Sequence, residues 1–282
     1  MNFCSPLRYP GGKRKIVDYI KQVFESNLLY DGVYVEPFAG GASVALSLLF
    51  NEYASKAVIN DIDISIYAFW FSVLNKTEEL CKLIYDTPVN LRTWEQQQAI
   101  QKEKSNQSLT KLGFSTFFLN RTNHSGILKA GVIGGRHQTG RWKIDARFNK
   151  KDLINRIHKI ALYKDKIKLY NHDAITLIKN LKRKLPKKTL FYFDPPYYLK
   201  GKDLYLNYYK INDHKLIANE IKNIEQQKWI VTYDNVNFIQ KLYKNYRQIK
   251  YTLNYSVKNA RKGKELMIFS NNLHIPNSFI SG

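Results

Sequence analysis

The chain has 282 residues, 44% of them hydrophobic and 14% aromatic, and its 45 Lys and Arg against 23 Asp and Glu give a net charge of +22. That composition is too apolar for a disordered basic tail and long enough for one large domain or two modest ones. Two cysteines, Cys4 and Cys81, exclude a disulfide framework and a multi-cysteine zinc site, and no apolar run approaches the roughly 20 residues of a membrane span. The opening residues Met1-Asn2-Phe3-Cys4-Ser5-Pro6 lack the charged-then-apolar pattern of a signal peptide, so a soluble, reduced, cytoplasmic protein is expected.

Ile16, Val17, Ile20, Val23 and Phe24 recur with helical spacing and predict a helix over 16–28. Residues 33–35 read as a short buried strand running into the turn Pro37-Phe38-Ala39-Gly40-Gly41, followed by a helix over 42–50. A second strand, 56–60, ends at Asp61, and an apolar stretch over 64–74 follows. The rhythm then lapses through Gln-rich and polar stretches and a basic, Gly-rich segment. It resumes with a helix at 151–163, a strand at Ile167–Tyr170, a helix at 174–185 and strands at 190–193 and 229–232. Two strands, near 247–253 and 265–270, close the chain. Strands alternating with helices predict an α/β fold on a mostly parallel sheet, interrupted by an inserted domain over 65–150.

The surplus charge suits a polyanion, with nucleic acid ahead of an anionic membrane surface. Much of it is compositional, since Lys outnumbers Arg 34 to 11 and accompanies abundant Asn, Ile and Tyr. Residues 121–151 stand apart: Arg121, Lys129, Arg136, Arg141, Lys143, Arg147, Lys150 and Lys151 face only Asp145, a net +7. Gly126, Gly131, Gly134, Gly135 and Gly140 predict loops and hairpins there. Arginine on such a ribbon suits guanine readout through its planar fork; a solvated basic loop is the plainer reading.

Two motifs carry chemistry. In Tyr34-Val35-Glu36-Pro37-Phe38-Ala39-Gly40-Gly41 a strand meets a Gly turn and a helix start, where a ligand can approach the backbone closely. Asp61, at the end of the next strand, is placed to accept hydrogen bonds from ribose hydroxyls, or simply to cap a helix. The second motif is Phe191-Tyr192-Phe193-Asp194-Pro195-Pro196-Tyr197-Tyr198. Its prolines fix φ and remove two donors, so a carboxylate and a rigid carbonyl stand side by side to accept both hydrogens of an exocyclic amine. Tyr197 adds a face on which a planar base can stack.

These residues, with Arg8-Tyr9-Pro10-Gly11-Gly12-Lys13 and Asn60-Asp61-Ile62-Asp63, resemble the Dam-type (D12 class, α group) DNA adenine-N6 methyltransferases. Their order also fits, and 255–257 with 264–269 resemble the family's late strand pair. One departure is Phe38-Ala39-Gly40-Gly41-Ala42, where the family's F-x-G-x-G turn ends in Gly, so a shifted turn is expected. The resemblance implies a Rossmann-like S-adenosylmethionine-dependent methyltransferase sheet with an inserted, mainly helical plus β-hairpin target-recognition domain. It divides the chain into a first catalytic part, 1–64, a DNA-binding domain, 65–150, and a second catalytic part, 151–282.

The resemblance implies S-adenosylmethionine as cofactor, held by Tyr9, Lys13, Glu36, Phe38, Gly40, Asp61, Ile62, Asp173 and Asp194. Asp194, Pro195 and Tyr197 would be catalytic on a flipped-out adenine in double-stranded DNA. Arg121, Asn123, Lys129, Arg136 and Arg141 are the candidates for DNA contact, and Lys258, Arg261, Lys262 and Lys264 either hold phosphates or guard an exposed edge. Six histidines (His124, His137, His158, His172, His214 and His274) show no metal-ligand spacing and are read as structural or phosphate-contacting. The competing functions are cytosine-N4 methylation, which uses the same amine chemistry, and a non-catalytic DNA-binding module retaining the fold. A monomer is expected, with a cognate restriction endonuclease acting separately and no membrane partner.

Overall fold

The computed structural model describes residues 4–8, 14–198, 209–255 and 261–276. The chain divides into two units, one of Gly11–Ile62 with Lys166–Gly282 and one of Met1–Pro10 with Asp63–Asp165. No helix among the described residues is long and apolar enough to cross a membrane.

The first unit is built on β1 (Gly32–Glu36), β2 (Ala54–Asn60), β3 (Ile167–Tyr170), β4 (Thr189–Phe193), β5 (Lys228–Asp234), β6 (Arg247–Tyr255) and β7 (Arg261–Phe269). They form one seven-stranded sheet in the order β3-β2-β1-β4-β5-β7-β6. The first five run parallel, while β7 lies between β5 and β6 and is antiparallel to both. Strands β1 and β4 are buried at every position, which requires cover on both faces. On one face Val33, Val35, Phe191, Phe193 and Val231 share a core with α8 (Ala174–Leu181), α9 (Ile211–Lys222) and α10 (Asn237–Leu242). The alternate residues Tyr34 and Tyr192 stack at 6.5 Å on the other face, where Phe24 of α1 (Arg14–Ser26) lies 6.4 Å from Tyr34. Helix α2 (Ser43–Phe50) rests against β1 and β2.

The mostly parallel sheet, with two strands before the inserted segment, matches the sequence reading. Helices α9 and α10 have no counterpart in it, and α8 ends at Leu181, ahead of Pro186, instead of reaching 185. Strand order reverses between β1 and β4, and in sheets of this type ligands bind outside the carboxyl ends of the strands at such a switch point.

The second unit is helical: α3 (Ile64–Asn75), α4 (Thr77–Asp86), α5 (Leu91–Lys102), α6 (Leu109–Thr122) and α7 (Lys150–Ala161). Asp63, Asn90, Ser108 and Asn149 cap α3, α5, α6 and α7, each accepting from a backbone N–H two or three residues on. Helix α6 is central and touches α3, α4 and α5, with Phe117 stacked on Phe69 at 6.0 Å. The unit is wider than the 65–150 expected from sequence. The apolar stripe Leu153, Ile157 and Ile160 of α7 packs on α3 and α4, and the Arg8 peptide bonds the Asn120 amide.

The expected β-hairpin does not form. Arg121 lies in the last turn of α6, and residues 123–149 contain a single isolated antiparallel bridge, Asn123 to Val132, with turns elsewhere. Gly134 and Gly135, at φ +86° and +75°, leave the extended backbone that a ladder needs. The loop closes instead on the Gln138 side chain, which donates to the carbonyls of Ile133 and Gly135 and accepts from the Ile144 N–H.

The close approach of α3 and α6 depends on Gly113. A Cβ there would lie 2.4 Å from both the Ala68 carbonyl oxygen and Ser72 Oγ. Gly113→Ala should lower stability by about 1–3 kcal/mol, the ordinary cost of overpacking, despite alanine's better helix propensity. Urea unfolding reads this directly, as a fall in midpoint at unchanged slope.

Candidate active site

The two sequence motifs meet because β1 and β4 are hydrogen-bonded neighbours, with Val35 opposite Phe191. At the end of β1 the chain turns through Gly40 at φ +45° and Ala42 at φ +46°. Ala42 therefore holds a left-handed conformation that glycine adopts without strain and that costs alanine about 1 kcal/mol. The Gly40 N–H donates to Asp61 Oδ2 at 3.0 Å, which ties this turn to the end of β2.

Asn60, buried beside Asp61, completes the tie. Its amide donates to the carbonyls of Pro37 and His172, and its Oδ1 accepts from the His172 N–H. Asn171 donates in turn to the carbonyls of Asp61 and Ile62. The carboxyl ends of β1, β2 and β3 are thus stitched into one rim. Ile62 offers an apolar side chain, 48% exposed, on that rim. Phe38 is half-buried against Tyr209, with ring centroids 6.0 Å apart. Asp173 caps α8, its Oδ1 accepting from Ile175 and Thr176, and its charge reaches Tyr209. Glu36 is buried at the end of β1, where its charge acts on Tyr34 and Tyr192.

The exit from β4 is held by side chains of the neighbouring strands. Thr232 Oγ1 donates to Asp194 Oδ1 at 2.7 Å and lies 3.2 Å from the Tyr192 hydroxyl. A hydroxyl has one hydrogen, so with that one on Asp194 the Tyr192 O–H donates to Thr232. Pro195 and Pro196 are buried. The Tyr197 hydroxyl donates to Glu265 Oε1 at 2.9 Å, and the Tyr198 N–H donates to Asp234 Oδ1 at 2.9 Å. Burial, followed by Asp194, Glu36 and Glu265, pushes the Tyr192 hydroxyl far above the usual phenol range.

Phe38, Gly40, Asp61, Ile62, Asp173, Glu36, Asp194, Pro195 and Tyr197 thus all lie at the carboxyl edge of one sheet. Tyr9, Lys13 and Lys258 fall outside the described residues, and Lys264 is exposed. Asn60, Thr232, Tyr209, Asp234 and Glu265 belong to the same edge and are not among the site residues expected from the sequence, although Asn60 and Glu265 lie within the segments that carry the family resemblance. Glu265 carried a signal: a lone acid at the head of the apolar run Leu266-Met267-Ile268-Phe269.

In the helical unit the nominated DNA-contact residues separate into two kinds. Lys129, Arg136 and Arg141 are exposed. Arg136 lies 6.0 Å from the Trp94 ring centroid, while Arg141 and Arg147 lie 5.4 and 5.7 Å from that of Trp142, itself 56% exposed. Asn123, by contrast, is buried and cannot face DNA as expected. Its Oδ1 accepts from Trp94 Nε1 at 2.6 Å and its amide donates to the carbonyls of Ile127 and Leu128, so it shapes the loop from within. Arg121 is half-buried, with Nε donating to the Arg147 carbonyl. Burial and the charges of Arg8, Arg156 and Arg147 push its guanidinium down to about 9.

The model of the D12 class N6 adenine-specific DNA methyltransferase family matches residues 9–257. The Type II methyltransferase M.MjaIII of Methanocaldococcus jannaschii is 23% identical over 204 residues, 68% of this chain and 68% of that protein. Among solved structures, an Agrobacterium tumefaciens SAM-dependent methyltransferase aligns over 91% of this chain and 61% of its own, with 8% identity and a TM-score of 0.43. The rRNA methyltransferase aviRa from Streptomyces viridochromogenes aligns over 90% and 83%, with 10% identity and a TM-score of 0.38.

Beneath the Tyr197–Tyr198 turn, His214 is fully buried among the rings of Tyr198, Tyr209 and Tyr233, with Nδ1 3.0 Å from the Tyr233 hydroxyl. Burial lowers its pKa below the ordinary 6.5, outweighing Asp234 and Asp213, which act the other way. Below pH 6.5 the unfolded chain therefore takes up a proton that the native imidazole resists, and stability falls as pH drops. Urea unfolding at roughly pH 7.5 and 5.5 should show this loss, and His214→Asn should shrink it.

Proposed function

The chain belongs to the D12 class N6 adenine-specific DNA methyltransferase family, and on that footing we propose that it methylates an adenine turned out of duplex DNA at a sequence read by its helical unit. S-Adenosylmethionine is the methyl donor, and when bound it supplies a sulfonium methyl already activated for transfer. The edge of the sheet suits such a cation: Glu36, Asp61, Asp194 and Glu265 bring carboxylates to it in a chain of net charge +22. Asp61 would hold the ribose, Phe38 and Ile62 would flank the adenine of the cofactor, and Gly40 would admit it close to the backbone. Tyr9, Lys13, Glu36 and Asp173 complete the proposed cofactor set.

Adenine N6 is a poor nucleophile because its lone pair is delocalised into the ring. Hydrogen bonds from the amine to the Asp194 carboxylate and the Pro195 carbonyl would draw it towards tetrahedral geometry and localise that pair. Thr232 contributes by orienting the Asp194 carboxylate, so little rearrangement is needed at the moment of attack. As the N6–methyl bond forms the methyl–sulfur bond would break, with S-adenosylhomocysteine as the neutral leaving group. Asp194 would meet the positive charge arising on N6, and the proton the amine then loses would pass by way of that carboxylate to water. Tyr197 would stack on the extruded base. The observation that carries this reading is the alignment of the Asp194-Pro195-Pro196-Tyr197 exit with the Gly40–Asp61 turn on adjacent strands.

In the helical unit Lys129, Arg136 and Arg141 would contact DNA, with Trp142 beside them; Arg121 contributes by holding the loop. The likeness to a Type II methyltransferase supports a restriction–modification role; our reading adds a separate endonuclease and a monomeric methyltransferase acting in the cytoplasm.

Incubation with duplex DNA and S-adenosylmethionine, followed by digestion and mass spectrometry, should yield N6-methyladenine and no N4-methylcytosine. Asp194→Ala should abolish the product while retaining DNA affinity; an active variant would refute the mechanism. Trp70, Trp94 and Trp229 are buried, so acrylamide quenching of tryptophan fluorescence reports mainly Trp142. Bound DNA should suppress that quenching, and unchanged quenching would remove Trp142 from the interface.

A further inference from the structure

Glu265 is only 1% exposed, on the interior strand β7, where it faces Asp234 of β5 and Tyr251 of β6 in the ladder. A carboxylate is a costly residue to bury and is retained where its oxygens have work as acceptors. Here Oε1 accepts from the Tyr197 hydroxyl at 2.9 Å and Oε2 from the Tyr251 hydroxyl at 2.6 Å. Tyr197 leaves the sheet just after two prolines, whose nitrogens donate nothing, so its ring orientation owes little to the backbone around it. The contact holds the hydroxyl oxygen and so limits the tilt of the ring, while rotation about the ring axis is resisted by the preference of the phenol O–H, aimed at Glu265, for the ring plane. Donation to a carboxylate also enriches the ring's π face, which favours contact with an amine gaining positive charge.

We propose that Glu265 is a positioning residue of the methyl-transfer site, fixing the plane of Tyr197 for the target base, with Tyr251 fixing the carboxylate in turn. The proposal rests on reading Tyr197 as the stacking ring. It assigns Glu265 no contact with DNA or cofactor, and the route it assigns runs through the Tyr197 hydroxyl.

That route is tested by a double-mutant cycle on the 282-residue chain. Glu265→Gln should lower kcat by about tenfold, a partial misalignment, with KM for S-adenosylmethionine and DNA affinity unchanged within about twofold. Tyr197→Phe should lose a similar factor, and the double variant should lose no more than either alone. Duplex DNA with 2-aminopurine at the target position should show altered base emission in Glu265→Gln at equal saturation. Full activity of Glu265→Gln, or a further loss when it is added to Tyr197→Phe, would overturn the proposal. If Tyr197→Ala is itself fully active, the stacking role fails; if it is inactive while Glu265→Gln is unimpaired, only the role of Glu265 fails. Should Glu265→Gln not fold, Tyr251→Phe keeps the carboxylate and should still lower kcat by a few-fold, and an unchanged kcat would count against the proposal.

Discussion

The exit of β4 is a stretch of backbone that cannot hold itself. Two consecutive prolines supply rigid φ angles and acceptors but no donors, so the segment is anchored from outside, through side chains and one main-chain N–H. Thr232 and Asp234 of β5 and Glu265 of β7 provide the anchors, one each for Asp194, Tyr198 and Tyr197. The arrangement requires β7 to run against β5. In a parallel sheet the strand ends collect on one edge and the starts on the other. An antiparallel strand brings its start to the edge where its neighbours end, so Glu265 lies opposite Asp234 at the mouth of the sheet.

The opposite side of the mouth is organised differently. There the anchors are amides, Asn60 and Asn171, which bind main-chain carbonyls at the ends of β1, β2 and β3. The charge of the whole chain and the charge of this edge have opposite signs. The acidic residues gather at the sheet edge of one unit, and the basic residues over 121–151 belong to the other.

Within the helical unit, position decides what a polar residue can do. Asn123 and Arg121 spend their side chains on Trp94, Ile127, Leu128 and Arg147, which fixes the course of the loop. Arg136, Arg141 and Trp142 are exposed on that loop. Gln138 closes the loop by three hydrogen bonds from one amide, a substitute for the strand ladder that the glycines prevent.

The α/β class, the two chemical motifs and the family were legible in the sequence because each is local. Strand runs, turn glycines and a proline-locked acid announce themselves within a few residues. Helices α9 and α10 were not, since their apolar faces are short and interrupted, and no hairpin could be excluded while Gln138 looked like any surface residue. The partners of the motifs were invisible for a deeper reason. Thr232 lies 38 residues beyond Asp194, Asp234 lies 36 beyond Tyr198 and Glu265 lies 68 beyond Tyr197. Only strand order makes them neighbours. Residue types and spacing determined what chemistry this protein carries. The sheet, by inserting an antiparallel strand between β5 and β6, decided which side chains hold that chemistry in place, because hydrogen bonds follow distance in space and not along the chain.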